Sequence, residues 1–202
     1  MTIDRFYGSI AGLGSSSGVR IVVGRWHRSP LGAFADVMLE QPDGRRVLIA
    51  PNERVAEFVA DTYLFDETRL AAVSVSEPTA NCWRVLADEL DLQFTIGHRP
   101  PVGLLLRLVP KTLAASPMWN RLIDPVASRV VPGVRTRGTA RSGRHEYYGA
   151  HDQRRINSAS GRWHGSLLGG LAPVLPAVRF GFSSTPATPS VTSVITTVVS
   201  DA

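Results

Sequence analysis

Leu90-Asp-Leu-Gln-Phe-Thr-Ile96 alternates apolar and polar residues without a break. Successive side chains of a strand point to opposite faces, so Leu90, Leu92, Phe94 and Ile96 share one side and Asp91, Gln93 and Thr95 the other. Such a segment fits an antiparallel sheet with one face on a core and one in solvent. A strand of this kind is not stable alone, and the remainder of the chain must supply its neighbours.

It does so in short pieces cut by turn residues. Residues 19–26 and 34–39 read as strands, Pro42-Asp-Gly44 as a turn and 47–49 as the returning strand, which makes a hairpin. A helix follows. Asn52 suits its N-cap, Glu53 its positive start, and Val55, Phe58, Val59 and Tyr63 recur at helical spacing. Residues 70–75 and 83–87 are further strands. The apolar run 103–109 fits a strand or a short buried helix, and 117–123 a helical turn. Residues 134–140 and 146–148 read as strands about a Ser142-Gly143 turn, 153–159 as another, and 178–182 and 191–199 as the closing pair. Residues 1–17, with Gly12, Gly14 and Ser15 to Ser17, read as a flexible N-terminal segment, and 18–202 as a single domain. The fold class is mainly β, with an antiparallel sheet and a packed helix.

Composition narrows the function classes. An apolar share of 44% against 19% charged residues supports a packed core and excludes a wholly disordered chain. No apolar run approaches the ~20 residues of a membrane span, and no basic-then-apolar leader opens the chain. Cys82 is the one cysteine, so no intrachain disulfide forms. These features predict a cytoplasmic protein with no membrane partner. The five histidines have no metal-ligand spacing. Gly12-x-Gly14 lacks the rest of a dinucleotide fingerprint, and Ser15 to Ser17 form no nucleophile elbow. No metal and no cofactor are expected.

Net charge is +5, and residues 134–157 carry Arg135, Arg137, Arg141, Arg144, Arg154 and Arg155 against Glu146 and Asp152. A solvated pair of strands accounts for that run, so nucleic acid ranks low among expected partners. A nucleic-acid or partner-binding module using 134–155 is the alternative function.

Ser29-Pro-Leu-Gly-Ala-Phe-Ala-Asp-Val-Met-Leu-Glu40 places Asp36 inside an apolar run, where a carboxylate must face solvent or a pocket. Leu31-Gly-Ala-Phe-Ala-Asp36 also begins a series of four segments. The others are Thr62-Tyr-Leu-Phe65 after the helix, Gly103-Leu-Leu-Leu-Arg-Leu-Val-Pro110 followed by Ser116-Pro-Met-Trp-Asn-Arg-Leu122, and the closing part 161–199. In this order they resemble the acetoacetate decarboxylase superfamily. The resemblance implies a curved antiparallel sheet or barrel around a cavity, with one or two packed helices. It implies a small-molecule ligand, apolar or carboxylate-bearing. It also implies a homo-oligomer, for which 191–199 offers an edge strand.

The family's decarboxylases form a Schiff base through a lysine after the long alternating strand. Gly97-His98-Arg99 stands there instead, and a guanidinium stays protonated and is a poor nucleophile. Lys111, the single lysine among 22 basic residues, lies past the next apolar run and does not match the motif. The expectation is a small-molecule-binding protein, or an enzyme that works without an imine. Asp36 is the first catalytic candidate, as a general base or a holder of a substrate hydroxyl, and His98 the second, as a proton carrier. The ligand-binding candidates are Phe34, Arg99 through a two-point fork, and one face of 145–148. His145 and Tyr147 share one side of that strand and are the candidates; Glu146 and Tyr148 share the other.

Overall fold

The computed structural model describes residues 2–130, 135–139, 145–181 and 183–200. The first half runs β1 Thr2–Ser15, β2 Arg20–Arg28, β3 Phe34–Glu40, β4 Arg46–Ala50, α1 Glu53–Ala60, β5 Glu67–Leu70, β6 Val73–Thr79, β7 Cys82–Ala87 and β8 Leu90–Ile96. Three helices follow, α2 Pro101–Leu106, α3 Lys111–Ala114 and α4 Pro117–Val130. The chain closes with β9 Arg137–Thr139, β10 His145–Trp163, β11 Ser166–Leu167, β12 Leu171–Ala172 and β13 Ser190–Ser200.

The main sheet runs β5-β4-β3-β2-β1-β13-β10-β8-β7-β6, antiparallel throughout except between β4 and β5. It is mainly β and curls into a half-barrel, which brings β6 back beside β3. Arg25 on β2 pairs with Glu77 on β6, and its guanidinium lies 5.0 Å from the Trp83 ring. The concave side holds the main core. Odd-numbered positions of the first strands, such as Ile21, Val37 and Ile49, meet Val85, Leu92 and Phe94 there. In β8 the alternation read from the sequence is realised, with Leu90, Leu92 and Phe94 buried and Asp91, Gln93 and Thr95 exposed.

The even-numbered positions of β1 to β3 face the other way. There α1 packs through Val55, Ala56 and Val59, with the Asn52 side chain accepting from the Val55 amide at 3.0 Å as its N-cap. The turn at Pro42-Asp-Gly44 is present, with Gly44 at φ 87° donating to the Gln41 carbonyl. The run 103–109 resolves into helix α2, whose first residue is Pro101, a position where the missing N–H costs nothing.

Several expectations are corrected. Residues 2–15 are not a flexible segment but β1, a central strand between β2 and β13. Its glycines serve close approach rather than freedom. A Cβ at Gly12 would sit 2.5 Å from Thr185 Oγ1, and one at Gly14 2.2 Å from the Pro173 carbonyl oxygen. Residues 191–199 form no edge. They lie inside β13, hydrogen-bonded to β1 on one side and β10 on the other. The strands expected at 146–148 and 153–159 are one strand, β10, with register shifts at 150/152 and 156/158. Residues 178–181 are not a strand, because their backbone groups bond elsewhere: the Arg179 amide to Glu40 Oε2 at 2.7 Å, and the Phe180 carbonyl to the Leu64 amide at 2.7 Å. The expected Ser142-Gly143 turn lies outside the described residues. No helix is long and apolar enough to cross a membrane.

Candidate functional site

Two adjoining cavities among the described residues lie on the even-numbered face. The larger, about 400 Å³, lies between the sheet, the segment 173–189 and helices α2 and α4. Its wall is mostly apolar, with Val22 and Val194 from the strands, Leu106 and Ile123 from the helices, and Phe180 from the segment. The smaller, about 60 Å³, lies under α1 and is lined by Asp36, Phe34, Phe58 and Val59 among others. Ile10, Met38, Tyr63 and Tyr148 line both, so they form the partition between the two.

Asp36 is 3% exposed, and Trp26 Nε1 donates to its Oδ1 at 3.1 Å. Burial raises its pKa from the ordinary 3.8 to about 6, opposed by the Trp26 hydrogen bond. A carboxyl group that titrates near neutrality can both give and take a proton. Beyond it, the Tyr63 and Tyr148 hydroxyls both donate to Glu146 Oε2, at 3.1 and 2.9 Å, and the two hydroxyls are in direct contact. Burial first, then the charge of Glu146, pushes both phenols well above their usual range, so they stay protonated and act as donors.

Hydroxyls toward the other end of the larger cavity lack partners. Thr185 Oγ1 and Ser190 Oγ are buried in its wall without a hydrogen-bond partner among the described residues. A buried hydroxyl left without a partner costs roughly 1–3 kcal/mol, which a ligand group would recover by bonding to it once the side chain turns into the cavity. The segment that carries Thr185 is clamped from below. Glu40, 0% exposed, accepts from Arg179 Nε at 3.1 Å and lies 3.3 Å from the Arg20 guanidinium, which in turn donates to the Pro176 carbonyl at 2.9 Å.

Of the candidates read from the sequence, Asp36 and Phe34 meet in the smaller cavity. His98 is exposed at the end of β8, and Arg99 is held by Asp152 through a two-point contact at 2.9 Å. Neither lines either cavity. On β10 it is Glu146 and Tyr148 that face the cavities; His145 is exposed, and Tyr147 is buried with its hydroxyl accepting from Arg121 at 2.7 Å. By sequence spacing alone Tyr63 is only an apolar helix position. It lies three residues beyond α1, and nothing in its spacing announces a hydroxyl aimed at Glu146. In the arginine-rich run, Arg154 donates to the Gly97 carbonyl and to Asn81 Oδ1, and Arg135 pairs with Asp124 at 3.6 Å. Arg141 and Arg144 lie outside the described residues, as does the side chain of Lys111. No group of histidine, cysteine and acidic side chains among the described residues is arranged to hold a metal. No protein-family model, curated protein or solved structure matches the chain.

Proposed function

We propose that this protein binds a small, mostly apolar molecule carrying one neutral polar group, on an acetoacetate decarboxylase-like scaffold that forms no imine. The observation that carries the reading is the cavity of about 400 Å³, apolar over most of its wall, with unpartnered hydroxyls of Thr185 and Ser190 in it. Pockets of this size that are lined this way suit a small ligand, with few polar groups fixing its orientation. A carboxylate-bearing ligand fits less well. Asp36 and Glu146 both stand behind the tyrosine partition, and like charges close together in a buried site repel strongly. A hydroxyl or carbonyl suits Ser190 and Thr185 better, since each carries a neutral O–H donor, while the tyrosine hydroxyls, already donating to Glu146, can only accept. If the ligand turns over, Asp36, behind the Tyr63–Tyr148 partition, is the carboxyl whose raised pKa of about 6 suits proton transfer.

The experiment is titration with 1-aminoanthracene, a neutral apolar fluorophore, followed by displacement with a metabolite library. Saturable binding, lost in Val194→Trp and weakened severalfold for hydroxyl- or carbonyl-bearing displacers in Ser190→Ala, supports the reading. Absence of binding, or binding that Val194→Trp leaves untouched while the variant keeps its circular dichroism, removes it.

A further inference from the structure

The helical segment outside the larger cavity has an exposed apolar surface. Leu105 is 63% exposed, Leu108 78%, Met118 71% and Leu122 69%, with Leu104 and Leu113 exposed beside them. Single exposed leucines are ordinary, but five leucines and Met118 exposed within residues 104–122, on α2, α3, α4 and the turn after α2, make a concentration of apolar surface that calls for a partner. The sequence around them is one-sided in charge. Between Asp91 and Asp124 there is no acidic residue, while Arg99, Arg107, Lys111 and Arg121 all fall there. The nearby carboxylate of Asp152 is already held by Arg99.

We infer that α2, α3 and α4 form a docking surface for an anionic lipid bilayer, lying on the membrane rather than crossing it. Three features select that occupant. Exposed leucines with arginines among them, on helices too short to span, are the composition of an interfacial segment. The exposed charges shown there, Arg107 and Arg121, are basic, which complements an anionic headgroup layer and not a second copy, whose arginines would face these. The patch is also continuous with the cavity. Leu105 lines the cavity wall and is at the same time exposed on the patch, so part of the cavity's helical wall lies where the bilayer would be. An apolar ligand would then pass between lipid and cavity without crossing water. The inference rests on the cavity's position, not on which ligand fills it. A contact of this kind is compatible with the lack of a spanning helix, which excludes only a crossing helix.

The test is co-flotation of the whole protein with vesicles of phosphatidylcholine alone or mixed with phosphatidylglycerol. Binding to the mixed vesicles is expected, weakened by salt. It should fall about fivefold for each of Arg107→Gln and Arg121→Gln, at ~1 kcal/mol per basic residue near the surface. Leu108→Glu combined with Leu122→Glu should abolish it, while 1-aminoanthracene still binds in solution and shows that the cavity is intact. Equal binding to neutral vesicles, or no binding to either, overturns the inference and leaves the cavity reading standing. So does a dimer in sedimentation that disappears in the Leu108→Glu, Leu122→Glu variant without any vesicle binding, since the patch then belongs to a second copy.

Discussion

Trp26 and Asp36 meet side chain to side chain over Gly24, which sits opposite Asp36 in the β2–β3 register. The indole N–H reaches the carboxylate because there is no Cβ between them. A methyl group at position 24 would lie 2.3 Å from Asp36 Oδ1 and 2.7 Å from Trp26 Nε1.

Gly24→Ala should therefore break this contact and cost about 1–3 kcal/mol, as overpacking of a filled site does. Tryptophan fluorescence and urea denaturation would read it. Gly170→Ala is the control, because a Cβ there meets nothing within 4 Å. Equal stabilities for the two variants would show that the strand face is looser than its geometry indicates.

Asp36 should make stability fall as pH rises. Its folded pKa of about 6 exceeds the ordinary 3.8, so the folded state holds the proton more tightly than the unfolded one. The contribution is complete below about pH 4 and is lost as pH rises through 6. At 1.36 kcal/mol per unit, the difference is on the order of 3 kcal/mol. Asp36→Asn cannot ionise and keeps an acceptor for Trp26. It should match the parent near pH 4 and exceed it in stability by up to that amount near pH 8. Denaturation curves that stay parallel from pH 4 to 8 would refute the buried carboxyl as the titrating group.

The strands were legible because their signals are local. Leu90 to Ile96 alternates, Pro42-Asp-Gly44 turns, and Asn52 caps, and each physical cause lies within a few residues. Asp36 was legible for the same reason, since a carboxylate among apolar neighbours on a short strand needs a special place. What escaped depends on distant partners. The glycines of β1 look flexible until Thr185 and Pro173 are laid against them. Residues 178–181 look like a strand until Glu40 takes the Arg179 amide. The choice between His145–Tyr147 and Glu146–Tyr148 is invisible locally, because the two faces of β10 differ only in what packs on them. Register shifts at 150/152 and 156/158 then stop parity from being carried along the strand.

Glu40 should matter more to the cavity than its distance from it suggests. It is wholly buried and holds both Arg20 and the segment 173–189. Glu40→Ala would leave the buried Arg20 cation without its carboxylate, at a cost of about 3–5 kcal/mol. The segment should also become sensitive to limited proteolysis, with weaker 1-aminoanthracene binding. Arg179→Ala removes only an exposed partner and leaves the backbone donor to Glu40 in place, so about 0–1 kcal/mol is expected. Proteolysis that is unchanged in Glu40→Ala would show that the segment is held by its apolar contacts alone.

Incubation with acetoacetate and borohydride should yield no covalent adduct. Schiff-base catalysis needs an unprotonated amine in the cavity, and the positions after the alternating strand offer none. His98 is exposed there, and Arg99 is a guanidinium fastened to Asp152. Lys111 begins α3, beyond α2, and carries the one side-chain amine in the chain. Mass spectrometry after reduction reads the outcome directly. An adduct on Lys111, lost together with decarboxylation in Lys111→Arg, would make this a decarboxylase with a relocated amine. A blank result, with 1-aminoanthracene still binding, leaves the imine-free cavity standing, with the Asp36 carboxyl, its pKa raised to about 6, in the smaller cavity beside it.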